Sequence, residues 1–320
     1  FHTEPGGWLA MRSLFNNLIL YTVMLLVFFL PERKRIAIER WLRGYEEDRK
    51  LKKADWVLAS WGKSGRTWLR VMLSRAYQLK FGIASHHLLD FDNLKEMNPG
   101  IPSVFFTHGN YLKDYTGHRD TKVDFYGKKI VLLIRDPRDV AVSQFFQWKF
   151  RMKPGKKKLN NYPAHEEDIS LFDFVMNPDV GAPHIVEYFN GWARDMDNLE
   201  DLILVRYEDM RVEPEKVLAE ILAFTGTPCT EEEVREAVEF AAYDNMKKLE
   251  TKKAFWFSGK RVVPGDRNNP DSYKVRRAKV GGYRDYFDDR EVAEIDAVMD
   301  RLSPLFGYAK QGAQDTAANG

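Results

Sequence analysis

A short turn near position 62 carries the residue types that bind an anion. An apolar run ends at Trp61, and the segment Gly62-Lys63-Ser64-Gly65-Arg66-Thr67-Trp68 follows it. The glycines let backbone amides approach a ligand closely, and a helix that starts here directs its positive N-terminus at the same point. The lysine adds a charge, and the serine and threonine add hydroxyl donors. The turn is therefore predicted to bind a phosphate or a sulfate; the alternative is a plain strand-to-helix turn with an exposed lysine.

The same turn matches only part of the loop that holds nucleoside triphosphates. That loop has the pattern G-x-x-x-x-G-K-[ST]. Gly62-Lys63-Ser64 matches the end of the pattern, but Val57 occupies the position of its first glycine. The difference argues against a nucleotide kinase or triphosphatase, which remains the alternative class of enzyme.

A second segment with anion-binding chemistry runs from Arg135 to Ser143 and reads RDPRDVAVS. Asp136 is a good N-cap and Pro137 suits the first position of a helix, so a strand is predicted to end at Arg135 and a helix to follow. Ligands bind at the carboxyl ends of such strands, and an arginine there can contact a phosphate with two hydrogen bonds. Two anion sites of different composition predict a nucleotide with phosphates at both ends.

The elements that position these segments alternate between strand and helix. Apolar, strand-like runs cover Ala54–Trp61, Lys129–Arg135 and Leu202–Tyr207, and helical spacing follows from Thr67, from Pro137 and over Glu213–Phe224. Continuous apolar strands that are each followed by a helix predict an α/β fold with a parallel sheet covered on both faces. Further amphipathic helices are predicted over Glu231–Phe240 and Arg290–Leu302. The basic segment Lys149–Lys158, which contains a proline and a glycine, is predicted to be a loop.

The N-terminal region differs from the rest of the chain. Leu18–Leu30 is uncharged and apolar but shorter than the roughly 20 residues of a comfortable transmembrane helix. The basic amphipathic stretch Arg33–Lys53 follows, which suits a helix on an anionic membrane surface. We expect a membrane-associating region over residues 1–53, a main domain over 54–309 and a flexible tail over 310–320. A buried core helix, or a helix that pairs two protomers, is the alternative for the apolar segment.

The composition excludes some classes of protein and favours one cellular compartment. The net charge of +2 excludes a histone-like polycation, and no nucleic-acid partner is expected. Cys229 is the one cysteine, so an intramolecular disulfide and a cysteine-based zinc site are excluded and a reducing compartment is favoured. With the basic flank after the apolar segment, this predicts a cytoplasmic location, attached to the cytoplasmic face of a membrane. The oligomeric state is left open.

Five segments in order, from about Trp56 to Phe287, resemble the motifs of the PAPS-dependent sulfotransferases (PAPS is 3′-phosphoadenosine-5′-phosphosulfate). Gly62–Trp68 resembles the family's P-K-S-G-T-T-W turn, and Arg135–Ser143 matches R-[ND]-P-[RK]-D-V-A-V-S almost letter for letter. Tyr207–Met210 resembles Y-E-D-[ML], Tyr243–Lys247 resembles F-x-x-M-K, and Arg276–Arg284 resembles R-K-G-x-x-G-D-W-K. The resemblance implies a P-loop-like, three-layer α/β/α domain that uses PAPS, releases PAP and requires no metal.

The resemblance also implies roles for individual residues. The first turn would hold the 5′-phosphosulfate, the second motif and the C-terminal arginines would hold the 3′-phosphate, and two tyrosines would flank the adenine. In that order, the residues are Lys63, Ser64, Gly65, Thr67 and Trp68; Arg135, Ser143, Arg276 and Arg277; and Tyr207 and Tyr243. Two positions depart from the pattern, because Arg66 replaces a threonine and Ala278 replaces a glycine.

A general base is implied at His108. The family's base is a histidine in K-T-H after a strand, and Phe106-Thr107-His108 occupies that place here. A neutral imidazole can take the proton of an acceptor hydroxyl during in-line sulfuryl transfer. Lys63 would stabilise the leaving oxygen. Phe106 replaces the family's lysine, and we expect Arg66 to supply the missing positive charge.

The acceptor is predicted only as a class. Aromatic residues that could line an apolar acceptor pocket are Phe105, Phe106, Phe146, Trp148 and Trp256, and the alternative is that such residues fill the core. Together with the N-terminal region they favour a lipid or another amphiphilic alcohol, while a soluble alcohol, a phenol or an amine stays open. A catalytically degenerate, nucleotide-binding membrane protein is the non-enzymatic alternative.

Overall fold

A parallel sheet forms the centre of the fold. The computed structural model describes residues 18–252, 265–266, 268–273 and 279–308. Within these ranges the sheet has four strands in the order β2-β1-β3-β4, and every pairing is parallel. The strands are β1 (Trp56–Ser60), β2 (Val104–Thr107), β3 (Ile130–Ile134) and β4 (Leu202–Arg206). Because the chain runs from β1 to one neighbour and then to the other, a crevice opens outside their carboxyl ends.

Helices cover both faces of the sheet. They are α1 (Glu32–Lys53), α2 (Arg66–Phe81), α3 (Asn93–Met97), α4 (Leu112–Thr116), α5 (Pro137–Phe150), α6 (Pro154–Leu159), α7 (Leu171–Met176), α8 (Ala182–Arg194), α9 (Tyr207–Val212), α10 (Pro214–Phe224), α11 (Glu231–Phe240), α12 (Tyr243–Lys252) and α13 (Asp289–Val298). Successive strand residues point to opposite faces: Leu58 packs with α2 and α10, whereas Val57 packs with α5 and α8. The predicted three-layer α/β/α arrangement is thereby confirmed.

The basic segment after α5 is not the loop that its proline and glycine suggested. Lys149 and Phe150 complete α5, and α6 begins at Pro154 after a short break. A proline is compatible with the first turn of a helix, where its missing amide costs nothing. Lys157 is buried on this helix, with its ammonium over the ring of Trp148 and 3.1 Å from Nδ1 of His165. Tertiary packing therefore makes a helix of part of a stretch whose proline and glycine predicted a loop.

Helix α1 packs closely on the sheet domain. Leu51 is buried, and Gly44 lies against the carbonyl oxygen of Tyr111, where a larger side chain would clash. Arg40 donates from Nε to Asp114 at 2.9 Å and from Nη1 to the carbonyl oxygen of Leu159 at 2.7 Å. These contacts link α1 to α4 and α6.

The apolar segment before α1 lies on the surface. Residues 18–26 are helical, and the side chains of Leu25, Phe28 and Phe29 are 71%, 70% and 71% exposed. In the described part of the chain, no helix combines the length and the apolar character that crossing a bilayer requires. The predicted tail over 310–320 lies outside the described residues.

Candidate functional site

An open cleft of about 1070 Å³ lies at the carboxyl edge of the sheet. Each strand contributes to its wall through the residues that follow it: the turn at Lys63 after β1, His108 after β2, Arg135 after β3 and Tyr207 after β4. This is where ligands bind in open parallel sheets. Residues distant in sequence thus meet because their strands are neighbours.

The turn between β1 and α2 has the shape of an anion cradle. Lys63 and Gly65 have positive φ angles of 71° and 98°, so the chain reverses tightly here. A Cβ atom on Gly65 would lie 2.6 Å from Cδ2 of Tyr207, so only glycine fits. Ser64 is fully buried, and its Oγ has no hydrogen-bond partner within the described ranges. A buried hydroxyl beside the N-terminus of α2 matches a site that is completed by an oxyanion.

Arg135 connects three parts of the cleft wall. Its guanidinium group lies 4.3 Å from the ring centre of Tyr207. Nη1 donates to the carbonyl oxygen of Lys63 at 3.3 Å, and Nη2 donates to the carbonyl oxygen of Lys279 at 3.2 Å. Ser143, two turns into α5, lines the same cleft. We call Lys63, Ser64, Gly65, Arg135 and Tyr207 the anion-loop end of the cleft.

Asp139 stabilises the anion-loop end through hydrogen bonds, a role that was not assigned to it from the sequence. Its Oδ2 accepts from the amide of Gly281 and its Oδ1 from the amide of Tyr283, both at 2.9 Å. Its Oδ2 also lies 3.3 Å from Nη2 of Arg135. Burial raises the pKa of Asp139, an effect that the neighbouring Arg135 opposes. The signal for this role was its place inside the second motif, four residues after the arginine on the first turn of a helix.

Aromatic rings adjoin the anion-loop end. The Nε1 of Trp68 donates to the carbonyl oxygen of Ala241 at 2.9 Å, and its ring meets Tyr207 edge-on at 6.0 Å. Tyr243, at the start of α12, lines the cleft nearby. The structure therefore brings together the two predicted adenine-flanking tyrosines and Trp68 on one wall, where flat rings can stack on a base.

His108 faces the cleft with a defined proton arrangement. Its Nδ1 lies 2.7 Å from the carbonyl oxygen of Ser60, which can only accept, so Nδ1 carries the proton. The lone pair on Nε2 accepts from Nη2 of Arg66 at 2.5 Å. Burial, and next the positive charge of Arg66, hold the pKa of His108 well below its ordinary value. The imidazole is therefore neutral near pH 7.

Phe106 has a structural partner that explains its apolar character. Its ring lies under the guanidinium group of Arg70, 3.7 Å from Cζ to the ring centre. Arg70 also donates to the carbonyl oxygen of Leu89 at 2.9 Å. A lysine at position 106 would face this arginine, so the phenylalanine avoids a repulsion between like charges.

The remaining predicted positions fall into two groups. Phe105 and Phe106 line the cleft, whereas Phe146 is outside its lining and packs on Phe150 and Tyr286. Trp148 is 2% exposed in an aromatic cluster, and its Nε1 donates to the carbonyl oxygen of Pro163 at 3.0 Å, so it is core. The predictions for Trp256, Arg276, Arg277 and Ala278 lie outside the described residues.

A second group of cleft-lining residues was not predicted from the sequence. Its members are Lys113, Lys122, Lys156 and His184, which we call the basic end. The ring of His184 contacts Trp61 at 5.3 Å, next to the turn that follows β1. These residues come from α4, α6, α8 and the connection before β3, and no local pattern joins them. In the described ranges, no group of three or more His, Cys, Asp or Glu side chains is arranged to hold a metal ion.

Comparison with known proteins identifies related sequences. A family model described as sulfotransferase domain matches residues 53–307. Cytosolic sulfotransferase 17 from Arabidopsis thaliana is 25% identical over 279 residues, which cover 79% of this chain and 75% of that protein. Flavonol 3-sulfotransferase from Flaveria bidentis is 23% identical over 266 residues, with coverage of 77% and 80%.

Solved structures share the fold. A mouse sulfotransferase complexed with PAP matches with a TM-score of 0.53 and 21% identity, covering 80% of this chain and 89% of that one. A retinol dehydratase in a complex with retinol and PAP matches with a TM-score of 0.50 and 17% identity, with coverage of 77% and 80%. These likenesses agree with the α/β/α architecture described above.

Proposed function

The chain belongs to the sulfotransferase domain family, and we propose that it transfers the sulfuryl group of PAPS to a hydroxyl group of a lipid or another amphiphilic alcohol. The observation that carries the proposal is the convergence of three groups in one cleft. The Lys63 turn and Arg135 form the anion-loop end, and the neutral His108 lies after the adjacent strand. Anion binding beside a base is the arrangement that sulfuryl transfer needs.

The residues at the anion-loop end fit PAPS. The buried Oγ of Ser64 and the N-terminus of α2 would bind the 5′-phosphosulfate, with Lys63 beside them. Arg135 and Ser143 would bind the 3′-phosphate, and Arg276 and Arg277 would close over it. The adenine would stack between the aromatic side chains Trp68, Tyr207 and Tyr243. Both structural neighbours with this fold are described as PAP complexes, which supports this choice of donor.

His108 would act as the general base. PAPS supplies an activated sulfuryl group that passes to the acceptor oxygen by in-line displacement. The carbonyl oxygen of Ser60 holds the proton on Nδ1, so Nε2 keeps the lone pair that accepts the proton of the acceptor hydroxyl. Lys63 would stabilise the negative charge that develops on the leaving phosphate oxygen.

Arg66 would add a step that the usual threonine does not require. The Nη2 of Arg66 occupies the lone pair of His108 in this structure. His108 can accept a proton only after Arg66 turns away. The phosphosulfate would bind at the turn that ends one residue before Arg66, and its negative charge would attract the guanidinium group. Arg66 would then supply the positive charge that Phe106 does not.

The N-terminal region supports an amphiphilic acceptor. Leu25, Phe28 and Phe29 expose their side chains, and the basic helix α1 follows directly. An apolar surface beside cationic side chains suits attachment to an anionic membrane surface. We propose that this region holds the domain at the cytoplasmic face of a membrane, where a lipid alcohol can enter the cleft. The structural neighbour described with bound retinol is consistent with an acceptor of this kind.

The test uses the purified full chain in detergent, radiolabelled PAPS and a lipid extract. We expect a labelled lipid product, which is lost in Lys63→Ala and in His108→Ala. Lys153→Ala, an exposed position outside the cleft lining, serves as the control and should keep the activity. Calorimetry that finds no binding of either PAPS or PAP to the folded chain would refute the proposal.

A separate experiment addresses the alternative of a kinase or triphosphatase. Those enzymes hold nucleotide phosphates through Mg²⁺, so EDTA abolishes their activity. We expect transfer from PAPS to continue in EDTA. Hydrolysis of ATP that stops when EDTA is added would support the alternative instead.

A further inference from the structure

Three consecutive lysines on α6 have three different surroundings. Lys158 pairs with Oε1 of Glu32 at 2.7 Å on the surface. Lys157 is buried and contacts His165 and Trp148. Lys156 extends into the cleft, where no carboxylate within the described ranges pairs with it. The side chain of Lys156 is exposed to solvent, but the protein atoms around it lower its pKa by desolvation, and the nearby Arg66 lowers it further.

The position of Lys156 relative to His108 is fixed by contacts around α6. The hydroxyl of Tyr111, three residues after His108, donates to Oδ1 of Asn160 at 2.9 Å. Arg40 of α1 holds the carbonyl oxygen of Leu159 at 2.7 Å. The charge of Lys156 is felt at the imidazole, where it lowers the pKa of His108 after burial and Arg66. Lys156, one turn before Asn160 on α6, therefore lies in the part of the cleft wall next to the segment that follows His108.

The two carboxylates that lie near α1 and α4 already have partners. Glu47 accepts from the amides of Tyr111 and Leu112, at 3.2 and 2.8 Å. Asp114 pairs with Arg40. Lys113, which also lines the cleft, has no carboxylate partner among the described residues. Lys122 and His184 have carboxylates in their surroundings, Asp120 and Asp195 for the first and Asp179 and Glu187 for the second. The positive charge of Lys156 and Lys113 has no such partner within the described ranges, which favours a ligand that brings its own negative charge.

We propose that the acceptor is an anionic alcohol, whose carboxylate or phosphate group is bound by Lys156 while its hydroxyl faces Nε2 of His108. This rests on the proposed function and specifies the substrate class of the same site. Lys113 assists from α4 at the other wall of the basic end. An acceptor charge held in this way fixes the orientation of the molecule, so that one of its hydroxyl groups reaches the base.

The test compares two acceptors that differ only in charge: a long-chain 3-hydroxy acid, whose hydroxyl lies close to its carboxylate, and its methyl ester. The full chain in detergent should show the higher kcat/KM with the acid. In Lys156→Gln, kcat/KM for the acid should fall about tenfold, the size expected when one charge-assisted hydrogen bond is lost. The value for the ester should stay within about twofold of wild type, a change too small to reflect a lost contact. Lys153→Gln, on the same segment but outside the cleft lining, should change neither value.

Two outcomes contradict the inference. Equal losses with acid and ester would mean that Lys156 acts on the sulfuryl group or the fold instead of the acceptor charge. Equal kcat/KM values for the two acceptors in the wild type would mean that charge is not recognised. Transfer to the neutral ester in either case leaves the proposed function intact.

Binding gives a readout that does not depend on turnover. Calorimetry of the chain saturated with PAP should show tighter binding of the hydroxy acid than of the ester, and Lys156→Gln should abolish that difference. If this binding difference is found but no acceptor is sulfated, the inference stands and the proposed function fails.

Two further acceptors distinguish a free anion from a lipid headgroup: glycerol phosphate in solution and phosphatidylglycerol in vesicles. Both present a hydroxyl near a phosphate, but only the second is held in a membrane. A Lys156-dependent rate with glycerol phosphate indicates a free anion, and one confined to the vesicles indicates a lipid headgroup. A rate with both acceptors that is unchanged in Lys156→Gln would contradict the inference.

Discussion

The two ends of the cleft are built in different ways. At the anion-loop end, Arg135 contacts the carbonyl oxygens of Lys63 and Lys279, and Asp139 holds the segment at Gly281. At the basic end, Lys156 lacks a carboxylate partner within the described ranges. The hydrogen bonds at the anion-loop end join residues of the protein to each other and hold its shape, which suits a donor of fixed shape. At the basic end, the charge of Lys156 would be balanced by a bound anionic ligand, which suits recognition of one acceptor class.

The largest expected effect is that of removing the proposed base, His108. His108→Ala removes the proposed base but none of the contacts of the anion-loop end. The transfer rate should fall by about 10²–10⁴-fold, as for loss of a general base, while PAP binding stays close to wild type. Single-turnover rates and calorimetry measure the two quantities.

The control for that comparison is His86→Ala, since His86 is exposed and is not part of the cleft lining. A His108→Ala variant that transfers at the wild-type rate would remove the base from the mechanism. One that no longer binds PAP would show that the two ends are not separable in the way described.

The same contrast explains how much could be predicted from the sequence. The strand ends are set by apolar runs, and the residues after them form contiguous motifs, so Lys63, His108 and Arg135 could be identified as neighbours in advance. The packing of Asp139 against Gly281 and Tyr283 joins segments far apart in the chain, and no local pattern encodes it. The sequence could indicate which residues the motif contains but not which of them support the others.

The basic end could not be predicted for a related reason. Lys156, Lys157 and Lys158 are the same residue type in succession, but Lys156 lines the cleft, Lys157 contacts His165 and Lys158 pairs with Glu32 of α1. Those surroundings come from tertiary contacts that override the preference of a proline- and lysine-rich stretch for a loop. Aromatic side chains were ambiguous in the same way, and the structure places the half-buried Phe106 at the cleft and Trp148 in the core.

The next prediction alters the shape of the anion-loop end. Gly65→Ala forces a Cβ to within 2.6 Å of Tyr207 at a backbone φ of 98°. The strain should cost about 1–3 kcal/mol, and it should appear as weaker PAP binding together with a lower Tm. Calorimetry and thermal unfolding measure both, and Gly155→Ala, where a Cβ meets no atom within 4 Å, is the matched control.

If Gly65→Ala binds PAP as tightly as the wild type, the cradle is not the phosphosulfate site. If the variant is destabilised but binds PAP normally once folded, the glycine serves packing against Tyr207 alone. The expected result is a loss in both measurements, because the same backbone conformation directs the amide groups at the anion and avoids a clash with the ring of Tyr207.

Arg66→Thr tests the residue that contacts both the turn and the base. We expect kcat to fall about tenfold with little change in PAP affinity, because one cation is lost from the transition state but not from the anion-loop contacts. The pH profile should also change. Burial and Arg66 hold the pKa of His108 well below 6.5, and the base works above its pKa. The wild-type acid limb of kcat/KM for PAPS, which reports the free enzyme, therefore lies below pH 6.5.

Without Arg66 the pKa of His108 should rise, so the acid limb should move to higher pH. Burial remains, so the limb should not pass the ordinary histidine value. Arg66→Lys keeps a positive charge and should restore part of the rate. An acid limb that does not move in Arg66→Thr would mean that the contact between Nη2 and Nε2 is not made in solution.

The smallest expected effect concerns the internal support of the anion-loop end. Asn at position 139 keeps the size of Asp139 but offers one accepting oxygen where the carboxylate offers two. The amides of Gly281 and Tyr283 then compete for it, and Arg135 loses its charged partner. PAP affinity in Asp139→Asn should drop about fivefold, roughly the net value of one hydrogen bond. The KM for the acceptor, measured at saturating PAPS, should not change, because the basic end shares none of these contacts; a matching rise in that KM would show that the two ends are coupled.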